Sequence, residues 1–192
     1  MTSSDRLPAC EDSVTRSVGA PVVVTRARSR EGFTLIELLI VVAIIGIIAA
    51  IAVPSLLRAR MSGNETSAIA SIRAVNSAQV SYSTGCSAGF YSTTYPALAP
   101  LYLSPDLTGA LVPLKSGYRY TLAAGFGAMP GANDCAGNPT TDGYYVTVLP
   151  LTTGVTGSRG FATNQSGAIW QDTSGLAPLE PFSFGPGISP VQ

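Results

Sequence analysis

From Phe33 to Leu57 the chain runs for 25 residues with only Thr34, Glu37 and Ser55 as polar side chains, and Leu38 to Val53 holds none. As a helix, 25 residues reach about 37 Å, more than the roughly 30 Å of a bilayer's hydrocarbon core. The alternative is a helix buried in a soluble core, but such a helix is rarely apolar on every face for so long. Arginines bracket the run, with Arg26, Arg28 and Arg30 before it and Arg58 and Arg60 after it. The three upstream arginines favour a cytoplasmic N-terminus while they remain attached. Gly46 and Pro54 interrupt the run. Pro54 removes a backbone donor, so a kink or local melting is expected there, an ordinary feature of membrane helices.

The remaining sequence has to build a folded part with few charges. Charged residues make up 11 % of the 192, against about 25 % in an ordinary soluble domain. Basic and acidic residues balance at eleven each, so no nucleic-acid partner is expected for the isolated chain. Histidine is absent. This removes Ser-His-Asp and Cys-His catalysis and His-ligated zinc, and the chain is not expected to be an enzyme or to carry a cofactor or metal.

Residues 1–32 are polar and basic and read as a leader. Past Arg60 the pattern turns amphipathic: Ile69, Ile72, Val75 and Val80 recur near the helical period, with Glu65, Ser71, Arg73 and Asn76 between them. One helix from Phe33 to about Ser83 is predicted, ending at Thr84-Gly85, where glycine suits a C-terminal cap. Cys86 to Ser116, with four prolines, reads as loop. Strands are predicted over Tyr118–Ala123, Tyr144–Pro150, Arg159–Thr163 and Ala168–Gln171, the last two joined as a hairpin through Asn164–Gly167. The proline-rich tail from Leu176 is expected to be irregular and to lie across the sheet. The fold class is therefore α+β. The predicted segments are 1–32 as leader, 33–57 as membrane-spanning helix, 58–83 as its amphipathic continuation and 84–192 as an α+β head.

The border of the apolar run carries the chemistry. Gly32 is followed by Phe33-Thr34-Leu35-Ile36-Glu37 and then Leu38 to Pro54. This resembles the N-terminus of type IV prepilins and type II secretion pseudopilins, whose processing site is a glycine before a segment of the form FTLIE. The likeness spans about a third of the chain and fades near Ser83. It implies a pilin-like fold, with the long helix packed on a small antiparallel sheet. It also implies cleavage between Gly32 and Phe33 by a prepilin peptidase, and N-methylation of Phe33. Single-pass subunits held in the inner-membrane bilayer would then be stacked by an assembly platform. The product is a homopolymer: an extracellular pilus for adhesion, motility or DNA uptake, or the periplasmic pseudopilus of type II secretion. A membrane-tethered exported enzyme or binding domain with an uncut helix is the alternative of another class. A leader of 32 residues is longer than the commonest in the family.

Glu37 is the lone carboxylate in the run, and a charge at membrane depth calls for a partner. The α-amino group of Phe33, freed by cleavage, supplies one at the same depth on a neighbouring subunit, so Glu37 is read as a register residue. Its favourable place at the positive end of its own helix adds to this. Cleavage removes Cys10 and leaves Cys86 and Cys135, an even pair that in an exported head reads as one disulfide; two free thiols are the alternative. Asp134, Asp142 and Asp172 match no calcium-ligand spacing, and the acceptor patterns at Asn64 and Asn164 are too common to assign as glycosylation sites.

Overall fold

A computed structural model describes residues 32–191. The expectations placed on the leader, including Arg26, Arg28, Arg30 and Cys10, lie outside the described residues. The chain divides into two units, Met1–Val42 and Ala43–Gln192.

Helix α1 spans Leu35–Gly85, 51 residues, and is continuous through Gly46 and Pro54. It starts two residues later than predicted because Thr34 serves as its N-cap. It also runs through Gly85. The left-handed residues that turn the chain away are Ala88 (φ 52°) and Gly89 (φ 97°), and the Gly89 N–H donates to the Ser83 carbonyl at 2.7 Å. The capping role expected at Gly85 therefore falls four residues further on. The apolar segment is long enough to cross a membrane and none of it is buried in the protein.

In the second unit, α1 buries Glu65, Ala68, Ile72, Val75, Gln79 and Tyr82, alternating steps of three and four residues along one face. Val80, predicted to belong to this face, is 57 % exposed, and Gln79 takes the position instead. Its amide satisfies a strand: Gln79 Nε2 donates to the Ser92 carbonyl (2.8 Å) and Ser92 N–H donates to Gln79 Oε1 (3.0 Å). Glu65 and Ser71, placed on the polar side by the sequence pattern, are buried as well.

The predicted loop from Cys86 to Ser116 contains short elements. These are β1 (Tyr91–Ser92), a 3₁₀ turn (Pro96–Leu98), α2 (Pro105–Thr108) and β2 (Leu114–Lys115). Then follow β3 (Tyr118–Ala124), β4 (Thr140–Thr141), β5 (Tyr144–Pro150), β6 (Gly160–Asn164), β7 (Ile169–Asp172) and β8 (Ile188–Pro190). β5 has the predicted bounds, β3 gains one residue, and β6 and β7 each begin one residue later. Six strands form one antiparallel sheet in the order β2-β3-β5-β6-β7-β8, while β1 pairs with β4. The tail is not wholly irregular, since β8 adds an edge strand to β7 through Trp170↔Pro190 and Asp172↔Ile188.

Period-two alternation sets the inner face of the sheet. Tyr118, Tyr120, Leu122, Tyr144, Val146, Val148, Phe161 and Ile169 join Ile72, Val75 and Tyr82 of α1 in one core. The tail does cross the outer face. Phe182 stacks on Trp170 (5.5 Å between centroids), Phe184 meets the Trp170 ring edge-on, and Tyr145 Oη donates to the Pro178 carbonyl at 2.6 Å. At Gly160 a Cβ would lie 2.1 Å from the Leu176 carbonyl oxygen, so only glycine admits the tail this close.

Polar clamps hold both ends of the helix seam. At its start, Glu65 Oε1 accepts from Ser158 N–H (2.8 Å), Ser158 Oγ (2.8 Å) and Arg159 N–H (3.2 Å). Its Oε2 accepts from Arg159 Nε (2.9 Å) and Nη2 (2.7 Å). Burial pushes the Glu65 carboxyl up, but these bonds outweigh it and hold the group below its ordinary value. Arg159 Nη1 donates onward to Gln171 Oε1 (2.7 Å), and Gln171 to Ser189 Oγ (3.2 Å), so the network reaches β8.

At the other end, Cys86 and Cys135 form a disulfide with Cα atoms 5.1 Å apart, as expected from their even number. Beside it, Asp134 accepts from Tyr82 Oη (2.7 Å), Asn138 Nδ2 (2.9 Å), and the N–H groups of Ala136 (2.8 Å) and Asn138 (2.7 Å). Burial opposes ionisation of Asp134, but these donors prevail and bring its pKa down to about 2. A carboxylate depressed on folding stabilises the native state fully above its unfolded pKa near 4 and loses that contribution as pH falls through about 2. Acid titration of the unfolding midpoint should show a loss on the order of 1–2 kcal/mol over this window. Asp134→Asn should flatten that limb and lower stability at neutral pH.

Candidate processing and assembly site

The first unit holds the start of α1 and the residues expected to carry the processing site. Gly32, Phe33 and Thr34 precede α1, and Phe33 is 81 % exposed. Among the described residues, a Cβ added at Gly32 would meet nothing within 4 Å. The described residues therefore give no steric need for glycine at this position. A requirement for glycine there would come from an external agent, such as a peptidase subsite.

Thr34 and Glu37 form a reciprocal cap on the first turn of α1. Glu37 N–H donates to Thr34 Oγ1 at 3.3 Å, while Glu37 Oε2 accepts from Thr34 N–H at 2.9 Å and from Thr34 Oγ1 at 2.6 Å. This is the Thr-x-x-Glu capping box, which satisfies two of the donors left open at a helix start. Thr34 was missed as a functional residue by sequence reasoning, although its spacing to Glu37 carries that signal. Glu37 is exposed, and among the described residues its Oε1 accepts no hydrogen bond. The site thus offers a peptide bond just ahead of the helix, a capped helix start at Leu35 two residues past Phe33, and one carboxylate oxygen that accepts no hydrogen bond among the described residues.

The segment matches the family model of the prokaryotic N-terminal methylation motif over residues 27–53. The chain carries a prokaryotic N-terminal methylation motif. Over 39 residues the chain is 62 % identical to the type IV wide pilus major component PilA4 of Thermus thermophilus, covering 20 % of this chain and 30 % of that protein. A stretch of 51 residues is 49 % identical to the type IV major pilin protein PilA of Myxococcus xanthus, covering 27 % of this chain and 23 % of that protein. The chain thus matches less than a third of the length of either relative. No solved structure matches the chain.

Outside the prepilin segment the candidate side chains are committed to the fold. Asp142 Oδ1 accepts from Met129 N–H (2.7 Å) and Asp172 Oδ1 from Ser174 N–H (2.7 Å); with the buried Asp134, each serves its own loop. Among the described residues no group of three potential metal ligands gathers. The amide nitrogens of both glycosylation patterns are occupied, Asn64 Nδ2 by the Thr156 carbonyl (2.8 Å) and Asn164 Nδ2 by Glu180 (2.6 Å). A cavity of about 560 Å³ opens beside β8, lined by Arg159, Gln171, Phe184, Ser189, Pro190 and Val191. Its one charged group, Arg159, is already spent on Glu65 and Gln171.

Proposed function

We propose that this chain is a structural subunit, not an enzyme, of a type IV pilin-like surface filament. Residues 1–32 are its leader, 33–57 its membrane and filament-core segment, 58–83 the amphipathic continuation and 84–192 its head. A prepilin peptidase cuts between Gly32 and Phe33, and the new Phe33 amine is N-methylated. The subunit waits in the inner membrane through its apolar helix and is then stacked by an assembly platform into a homopolymer used for adhesion, motility or DNA uptake. In the stack, Glu37 of one subunit pairs with the Phe33 amine of the next. Methylation adds bulk at that amine but leaves it basic.

The observation that carries this reading is the conjunction at one helix start of the methylation motif, an unhindered Gly32–Phe33 bond and a carboxylate within an unburied apolar segment. A carboxylate stored there is far better paired than alone, so its contribution is chiefly register. The relatives' names, a pilus component and a major pilin, favour the surface filament over the pseudopilus.

Mass spectrometry of the mature protein tests the reading. The expected N-terminus is methylated Phe33, and recovery of an intact Met1 chain from the membrane would overturn it. Shearing cells then separates the two filament types: the subunit is expected in sheared surface fibres, whereas retention in the periplasm would assign it to secretion.

A further inference from the structure

We infer that the base of the head is a bilayer-docking surface: while the subunit is held in the membrane, the turn between β5 and β6 rests on anionic phospholipid headgroups, with Arg58 and Arg60 beneath it. The inference rests on membrane storage through the apolar helix, proposed above, and assigns a surface of the head to that stage. The base is the end at which α1 leaves the head toward its apolar run. β5 ends there at Pro150, β6 begins there at Gly160 and β7 ends there at Asp172. The β5–β6 turn is lashed to α1 at that level: Asn64 Nδ2 donates to the Thr156 carbonyl (2.8 Å), and Glu65 accepts from Ser158 and Arg159. Yet the turn leaves Leu151 43 % and Val155 59 % exposed, and Leu176, whose carbonyl packs on Gly160, is 66 % exposed.

The helix fixes how far this apolar base stands from the bilayer. Within the second unit α1 is unbroken from Ala43 to Gly85. Asn64 lies seven residues past Leu57, where the apolar run ends, or about 10 Å along the axis. The headgroup layer fills about 5–8 Å of that distance, and what remains is the reach of a side chain. The apolar run, at about 37 Å, also exceeds the hydrocarbon core of about 30 Å; tilting accommodates such an excess and lowers one side of the head toward the membrane. Arg58 and Arg60 fall within the headgroup layer. Both are exposed, and neither joins an ion pair among the described residues. Arg58 stands seven residues before Glu65, two helical turns down the face of α1 that carries the head. Guanidinium groups at this depth find phosphate oxygens. The far end of the sheet does not suit the same partner. There the exposed Phe126 and Met129 donate their N–H groups to Glu180 and Asp142, carboxylates that anionic headgroups repel.

The test places the full-length subunit in lipid nanodiscs, with Val155→Trp as the reporter and a spin label on the lipid headgroup as the quencher. In discs containing phosphatidylglycerol, most of the emission added by Val155→Trp should be lost. The emission added by Phe126→Trp, at the far end of the sheet, should persist. Leu151→Trp supplies an independent reporter on the same turn. In discs of phosphatidylcholine alone, or with Arg58→Gln and Arg60→Gln combined, docking should weaken by about fivefold for each arginine. Unquenched reporters at both turn positions in a disc-embedded subunit would overturn the docking and leave membrane storage standing. A chain that does not enter discs would overturn storage itself, and this inference with it. Reporters shielded only in discs that hold two subunits would assign the base to a second copy instead. Quenching indifferent to lipid charge and to both arginines would remove anionic headgroups as the partner.

Discussion

Glu37→Ala should be cut between Gly32 and Phe33 like the unaltered chain and yet leave at least tenfold less sheared filament, because removing one partner strands the other's charge. The two steps separate because they use different atoms. In the proposed maturation the Gly32–Phe33 bond has to be reachable, and that bond lies before the helix, where even a Cβ would meet no neighbour among the described residues. The proposed stack needs a counter-charge for an amine within an apolar environment. The reciprocal variant is Gly32→Val, which should fold normally but retain its leader, since nothing among the described residues requires glycine there. Immunoblots against the head, resolving precursor from mature subunit by size, read both variants in one experiment. Normal filaments from Glu37→Ala would remove the register role, and normal cutting of Gly32→Val would remove the assigned cleavage site.

Glu65→Ala should be the most damaging single change in the head. Glu65 is 6 % exposed and receives five hydrogen bonds from Ser158 and Arg159. Its loss leaves two backbone N–H groups and a guanidinium facing a gap, and frees Gln171 and Ser189 from the chain of bonds that reaches β8. Breaking a buried pair from one side costs about 3–5 kcal/mol, although Arg159 is one-third exposed, which places this case at the low end. Urea unfolding of the detergent-solubilised subunit should show a midpoint shift of that size. Arg159→Met should cost less than Glu65→Ala, because the carboxylate keeps its Ser158 donors.

The two variants also mark what a reader of the sequence can and cannot see. The methylation motif is legible because its message is local: a motif at the edge of an apolar run needs no knowledge of the head. The strand Tyr144–Pro150 is legible for the same reason, its alternation being written in seven consecutive residues. Glu65 is misread as a polar-face residue and Gln79 carries no signal of its burial, because the groups that justify burying them, Ser158, Arg159 and Ser92, are chosen by the tertiary fold. β1 and β4 are two residues each and exist only through each other. β8 hides in a proline-rich tail, and Pro190, with no N–H to give, fits there because β8 is an edge strand. The capping box is written in the Thr34–Glu37 spacing, where the charge of Glu37 is equally consistent with a partner outside the chain.

The two clamps on the helix seam have a mechanical meaning. Glu65 fastens one end of the buried stretch of α1 to the β5–β6 turn, and the Cys86–Cys135 bond fastens the other to the loop ahead of β4. A pull directed along α1 therefore loads the two fastenings together, in shear. It does not unzip the interface one side chain at a time from a free end. The covalent fastening does not yield to such a load, and the ionic one breaks only when several bonds fail at once. A head secured in this way can be dragged by its helix without being peeled off it, and reduction of the disulfide would turn a shear joint into a zipper.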